Sequence, residues 1–214
     1  MTERQELPKP TKIVCVGRNY AAHAAELGNV VPEQPLIFFK PPSAIIGHGD
    51  AIVLPAMSER VEHEAEIGVV IGHPLRHASP SGVLRAIAGI TCVNDVTARD
   101  LQRSDSQWTR AKGFDTFCPM GPLVVSLDRL PPWRELEVSC RVNGEERQRG
   151  AARDMVFGIP EVIAYVSQIM TLEPGDLIAT GSPAGVGPLE PGDVVEVEVS
   201  GVGVLRNSVV AAAR

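Results

Sequence analysis

The chain has 214 residues, of which 44% are hydrophobic and 21% charged, and a formal net charge of −6. This balance excludes a disordered chain and fits one domain or two small ones. No basic run stands out, which argues against a nucleic-acid partner, and no apolar run approaches the roughly 18 residues of a membrane-crossing helix.

With 20 glycines, 18 prolines and 4% aromatic residues, many turns and a strand-rich fold are expected rather than a helical bundle. The cysteines, Cys15, Cys92, Cys118 and Cys140, form no C-x-x-C pair, so a thiolate zinc site or dithiol redox motif is not expected. The N-terminus, MTERQELPKP, has no apolar core of a secretory signal. Reduced, buried thiols in a cytoplasmic protein follow.

Residues 1–11 read as a polar leader. No Gly/Ser linker divides 12–214, which read as a single domain. Residues 12–16 (KIVCV) predict a strand, and Ala-rich 20–27 a helix stopped by Gly28. Residues 36–39 and 50–54 predict strands, as does 62–71 (EHEAEIGVVI), which enters the core. Ser79-Pro80 predicts the start of a helix running to Gly89. The β-branched 90–96 (ITCVNDV) predicts a strand, and polar 97–107 a helix. Strands are expected at 123–125 and 136–142, the second followed by an Asn143-Gly144 hairpin turn. Residues 160–170 are the best amphipathic helix, with Pro160 at its first turn. Strands follow at 177–180, 194–199 and 202–210, set off by Pro-Gly-Asp turns at 174–176 and 191–193.

Glu62, Glu64 and Glu66 occupy alternate positions of one predicted strand, so they project to one face, about 6.6 Å apart per step. Taken alone, this alternation reads as a solvated strand face. Asp95 changes the weighing, because it lies between Asn94 and Val96 in an apolar run, where an unpaired carboxylate is costly. If the two strands are neighbours, Asp95 completes an all-oxygen site with Glu64 and Glu66, suited to Mg²⁺, Mn²⁺ or Ca²⁺. Arg99 and Lys112 follow as cations for an anionic substrate. His23 and Glu26, three apart on the predicted helix, can meet as an imidazole–carboxylate pair or as a plain surface pair. His63 points away from Glu64, and His48, His73 and His77 read as turn or loop residues. The glycines of 181–188 match no nucleotide-binding pattern.

Five blocks in order, GRNYAAHAAELG, EHEAEIGVVIG, NDVTARDLQ, WTRAKGFDTFCPMGP and TGSPAGVGP, resemble the fumarylacetoacetate hydrolase family. They are most similar to its short branch of acylpyruvate hydrolases, 2-hydroxyhepta-2,4-diene-1,7-dioate isomerases and oxaloacetate decarboxylases. The resemblance implies an α+β, β-rich fold, a mixed β-sandwich roll with a few short helices, in a homodimer. It implies metal ligation by Glu64, Glu66 and Asp95, and catalysis by His23, Glu26 and Lys112. It puts Arg18, Asn19, Tyr20, Arg99, Gln102, Thr180 and Ser182 in the substrate pocket. The family's TGTP loop is TGSP here, which keeps the hydroxyl and loses a methyl.

The implied reaction is Mg²⁺- or Mn²⁺-dependent hydrolysis of a C–C bond in an acylpyruvate-type 1,3-dicarbonyl acid. His23 would activate water, and the products would be pyruvate and a carboxylic acid. The isomerase and decarboxylase reactions are alternatives on the same enolate chemistry. A non-enzymatic metal-binding module is the alternative of a different class, against which the retention of His23, Glu26 and Lys112 speaks.

Overall fold

The computed structural model describes residues 9–213; most of the leader expected at 1–11 lies outside them. The β-branched and apolar runs become strands of a seven-stranded mixed sheet. Its order is Leu36–Lys40, Ile13–Gly17, Leu177–Ala179, Ala65–Ile71, Ile87–Asn94, Cys118–Val125 and Ile45–Ile46. Ile13–Gly17 runs parallel to Leu177–Ala179, and Ile45–Ile46 parallel to Cys118–Val125; the other pairs are antiparallel. A five-stranded sheet of Glu145–Ala151, Glu137–Val142, Val194–Val199, Gly203–Ala211 and Ala51–Leu54 packs on it.

The two inner faces share one core, with Ile67, Val69 and Cys92 from the first sheet and Val138, Val197 and Leu205 from the second. Val194–Val199 (VVEVEV) alternates half-buried and buried residues, as a one-sided strand should. Every residue of Ala65–Ile71 is buried, because a second cluster with Ile13, Cys15, Val70 and Met120 covers its other face. The result is the strand-rich α+β sandwich implied by the sequence. The α-helices are Ala21–Glu26, Arg99–Ser104, Thr109–Lys112 and Ile159–Ile169. Asn143 and Gly144 both have positive φ, 53° and 83°, as the two-residue hairpin between Glu137–Val142 and Glu145–Ala151 needs.

Three expectations are corrected. The run at 62–71 is two strands, Val61–His63 and Ala65–Ile71, broken at Glu64. The strand expected at 90–96 runs from Ile87 to Asn94 and stops before Asp95. Both breaks occur where the chain leaves the large sheet for a small one of Gly187–Pro188, Val61–His63 and Thr97–Ala98. There the Glu64 N–H donates to Asn94 Oδ1 at 3.0 Å, and the Asp95 N–H to the Glu64 carbonyl at 2.8 Å. Two acidic residues thus face each other at the crossing. Third, the helix expected from Ser79 is one 3₁₀ turn, Val83–Ala86. Pairing of Ile87 with Ile71 claims the remainder for the sheet.

Candidate active site

Glu64 and Asp95 enter the site from this crossing, and Glu66 from the first turn of the pleat beyond it. One oxygen from each of the three carboxylates lies within 4.8 Å of the others, and all three residues are buried. Buried carboxylates need partners, and each has one. Arg99 Nη2 donates to Glu64 Oε1 at 2.5 Å, Lys40 Nζ to Asp95 Oδ1 at 2.5 Å, and the Gly181 N–H to Glu66 Oε2 at 2.7 Å. Lys112 Nζ then spans Glu64 Oε2 at 2.8 Å and Asp95 Oδ2 at 2.6 Å. Glu62 stands apart from the three: its oxygens accept from Arg60 Nε and Arg99 Nε, each at 2.6 Å.

These neighbours set the protonation states. Burial alone would raise the Glu64 carboxyl, but Lys112 and Arg99 outweigh it and hold Glu64 well below the usual carboxylate range. Glu66 goes the other way. Burial, then the like charges of Asp95 and Glu64, push it well above the usual value. Burial would lower Lys112, yet Asp95 and Glu64 hold it ionised and raise it. An all-oxygen donor set of three carboxylates, with no sulfur or imidazole among its ligating atoms, fits a hard divalent cation.

A cavity of about 200 Å³ opens over the carboxylates. Its wall carries His23, which is 5% exposed, with Nδ1 3.4 Å from Glu26 Oε2. A carboxylate only accepts, so this contact places the imidazole proton on Nδ1 and leaves Nε2 as the basic nitrogen. Glu26 is fixed in turn by the Gly185 N–H, 3.1 Å from both of its oxygens. Arg99 Nη1 donates to Gln102 Oε1 at 2.5 Å, and both line the cavity, as do Lys112 and Ser182. Arg18 also lines it, in the left-handed region at φ 58°, with its guanidinium 5.9 Å from the Trp108 ring.

Three residues expected in the pocket stand behind its wall. Asn19 is fully engaged: Nδ2 donates to the Phe157 and Thr180 carbonyls at 3.0 and 2.8 Å, and Oδ1 accepts from the Phe157 N–H at 2.8 Å. The Thr180 hydroxyl donates to the Ile67 carbonyl at 2.8 Å. Tyr20 is 3% exposed, and its hydroxyl has no partner among the described residues. Sequence reasoning missed Lys40, Gln148 and the Arg60–Glu62–Arg99 relay. Lys40 carries the same signal as Asp95, a charge closing the apolar run LIFFK. Gln148 lies in the polar EERQRGA and carries no such signal. Arg103, also on the cavity wall, was not among the expected site residues.

A family model described as fumarylacetoacetate (FAA) hydrolase C-terminal matches residues 12–210. An uncharacterized protein of Methanocaldococcus jannaschii is 52% identical over 202 residues, 94% of this chain and 84% of its own length. The mitochondrial oxaloacetate tautomerase of Rattus norvegicus is 45% identical over 210 residues, 94% of this chain and 67% of its own length. The crystal structure of 2-hydroxyhepta-2,4-diene-1,7-dioate isomerase from Mycobacterium marinum superposes with a TM-score of 0.88 at 43% identity, covering 97% of this chain and 77% of that one. With the family model matching residues 12–210 and relatives at this identity, the chain belongs to the fumarylacetoacetate hydrolase family.

Proposed function

We propose that the protein is a divalent-metal-dependent tautomerase of small 2-oxo dicarboxylic acids, oxaloacetate being the simplest. The observation that carries this reading is one carboxylate-backed imidazole in the same small cavity as three carboxylates and several cations. The relatives named as oxaloacetate tautomerase and dienoate isomerase support it, since both names describe proton transfer without carbon–carbon bond cleavage. Glu64, Glu66 and Asp95 would hold the cation, Mg²⁺ or Mn²⁺, with Ca²⁺ also suited to the donor set. When bound, the cation supplies Lewis-acid polarisation of the 2-oxo group.

The remaining work falls to the chain's own side chains. Keto and enol forms of a 2-oxo acid differ by one proton moved between carbon 3 and the oxygen on carbon 2. His23 Nε2 is the free nitrogen in the cavity and takes or returns the proton at carbon 3. Glu26 holds the ring and stabilises its charged form. Lys112 keeps Glu64 ionised, bonds Asp95 Oδ2 and adds positive charge beside the developing enolate. Arg18 and Arg103 have no carboxylate partner among the described residues and line the same cavity. They suit the second carboxylate of the substrate.

The test follows the enol's ultraviolet absorbance with Mg²⁺, with Mn²⁺ and in excess chelator, for oxaloacetate, 2-hydroxyhepta-2,4-diene-1,7-dioate and acetylpyruvate. The reading expects oxaloacetate ketonisation, lost in chelator. Activity undiminished by chelator overturns it. The second reading is acylpyruvate hydrolysis. Glu26, with a side chain 33% exposed, gives the pair access to water that His23 would deprotonate. Acetylpyruvate cleaved to pyruvate and acetate at least ~10-fold faster than oxaloacetate tautomerises, about 1.4 kcal/mol in barrier, would decide for it. Pyruvate and carbon dioxide from oxaloacetate would instead mark a decarboxylase.

A further inference from the structure

We propose that Gln148 is a positioning residue that fixes the His23–Glu26 pair relative to Glu66 through the 181–185 loop. From the reading above, the proposal takes only that this pair carries the proton. Gln148 lies on the Glu145–Ala151 strand, at the edge of the five-stranded sheet. Its neighbours Arg147 and Arg149 are exposed, while Gln148 is 1% exposed and points towards the site. All four hydrogen-bonding positions of its amide are used. Nε2 donates to Ser182 Oγ and to the Pro183 carbonyl, each at 2.7 Å. Oε1 accepts from the Ala65 N–H at 3.0 Å and meets His63 Nδ1 at 2.8 Å. The Pro183 carbonyl can only accept and the Ala65 N–H only donate, so the amide has one orientation and His63 carries its proton on Nδ1.

The loop gripped in this way touches both halves of the chemistry. At one end the Gly181 N–H holds Glu66 at 2.7 Å, and at the other the Gly185 N–H holds both oxygens of Glu26 at 3.1 Å. The loop lies flush on the Gln148 strand. A Cβ on Gly185, where φ is +101°, would sit 1.9 Å from the Arg147 carbonyl oxygen, and one on Gly150 would sit 2.6 Å from Pro183 Cβ. One backbone segment, only five residues long, therefore spans from a carboxylate of the buried group to the partner of the imidazole. Gln148 is the side chain that locks it. The placement of Gln148 outside the cavity is why it acts through others: it is absent from the cavity wall, while Ser182, which it holds, is on that wall. Because Ser182 Oγ accepts from Gln148, its own proton is turned to the Pro183 carbonyl at 3.4 Å, a second tie within the same loop.

Gln148→Glu keeps the acceptor oxygen for Ala65 and His63 and removes the amide donor to the loop. Gly185→Ala displaces the same loop by pressing on the Arg147 carbonyl while retaining the Gln148 amide, and so carries the test if the first variant fails to fold. The first readout needs no substrate. Long-range ¹H–¹⁵N imidazole spectra, with His23 assigned by its loss in His23→Ala, are expected to show a single Nδ1–H tautomer in the wild type and a tautomer mixture in either folded variant. In turnover, kcat is expected to fall by at least ~10-fold with KM within ~3-fold, the pattern of lost positioning rather than lost binding. Mn²⁺ binding, followed by electron paramagnetic resonance, persists. Unchanged His23 resonances with unchanged kcat in folded variants overturn the proposal, as does a kcat loss fully explained by lost Mn²⁺. A wild type inactive on every 2-oxo acid would sink the proposed reaction, whereas the spectra judge Gln148 independently of it.

Discussion

Lys40→Met tests the electrostatics of the carboxylate group from outside its ligand set. The Lys40 side chain is fully buried, and its ammonium bonds Asp95 Oδ1 at 2.5 Å and the Val96 carbonyl at 3.0 Å. Methionine keeps most of the volume and removes the charge. Breaking a buried ion pair by removing one partner costs about 3–5 kcal/mol. The lower end applies here, because Lys112 still faces Asp95 Oδ2 at 2.6 Å. At about 2–4 °C per kcal/mol for a chain of this size, a loss of ~3 kcal/mol lowers Tm by roughly 6–12 °C in chelator. A divalent cation beside Asp95 replaces the missing positive charge, so the gap to wild type should narrow in saturating Mg²⁺. If it narrows by half, about 1.5 kcal/mol, linkage requires the variant to bind the cation roughly 10-fold more tightly. Melting curves by circular dichroism with Mg²⁺ and with chelator, and Mn²⁺ titration, supply both numbers. A gap that stays equal or widens in Mg²⁺ would refute the assignment of the cation to these carboxylates.

His23→Ala is expected to lower kcat by roughly 10²–10⁴, the usual contribution of a general base, with Mn²⁺ affinity within a few-fold; lost Mn²⁺ binding would contradict its place outside the ligand set. Asp176 is buried and accepts from the Thr11 N–H, the Lys12 N–H, the Lys12 ammonium and the Glu173 N–H. Burial alone would raise its carboxyl, but these donors hold it below the usual range, so its stabilisation is present above the unfolded value of roughly 3.9 and is lost as pH falls through the folded one. Asp176→Asn should therefore flatten the dependence of Tm on pH below about pH 4, and an unchanged acid limb would count against the linkage. Burial pushes the thiols of Cys92, Cys118 and Cys140 up to about 12 and that of Cys15 well above its ordinary value. No thiol should react with Ellman's reagent in native protein near neutral pH, and all four should react in denaturant.

Local chemistry that acts within a few residues was legible in the sequence. Asn143-Gly144 set a hairpin because two adjacent positive φ angles suit these residues. The Pro-Gly-Asp turns recur with one geometry, in which Asp176 Oδ2 accepts from the Glu173 N–H at 2.8 Å and Asp193 Oδ2 from the Glu190 N–H at 2.7 Å. What escaped depends on contacts between distant segments. Alternation of Glu62, Glu64 and Glu66 says nothing of the strand break at Glu64, which arises because the Asn94 side chain replaces a ladder partner. The buried acid at Asp95 was visible as an anomaly, and its partner Lys40 lies 55 residues away in another strand. Asn19, Tyr20 and Thr180 sit in the right motifs but are absent from the cavity wall, Asn19 and Thr180 with their polar atoms spent on backbone groups; motif matching fixes position along the chain, not direction in space.

The charge count follows from these contacts and bears on substrate choice. From sequence, three carboxylates and one divalent cation leave a single negative charge, awkward for an acidic substrate. In the structure Glu62, Glu64 and Asp95 pair with Arg60, Arg99, Lys40 and Lys112, and Glu66 is met by the Gly181 N–H; with Glu66 ionised, as a ligand to a cation would be, the four carboxylates and the four basic side chains cancel. A divalent cation then leaves the cluster with two positive charges, which a dicarboxylate neutralises and a monocarboxylate does not. Arg18 and Arg103 on the cavity wall add to the attraction. Such a field is screened over roughly 8–10 Å at 0.10–0.15 M salt. Raising ionic strength from low to physiological values should therefore depress kcat/KM for oxaloacetate more steeply than for a monoanionic acylpyruvate, measured at saturating Mg²⁺ with matched counter-ions. Arg18→Met should lessen that difference chiefly by raising KM for the dianion. Equal salt slopes for the two substrates would show that the second carboxylate is not read by this wall, whatever reaction the site performs.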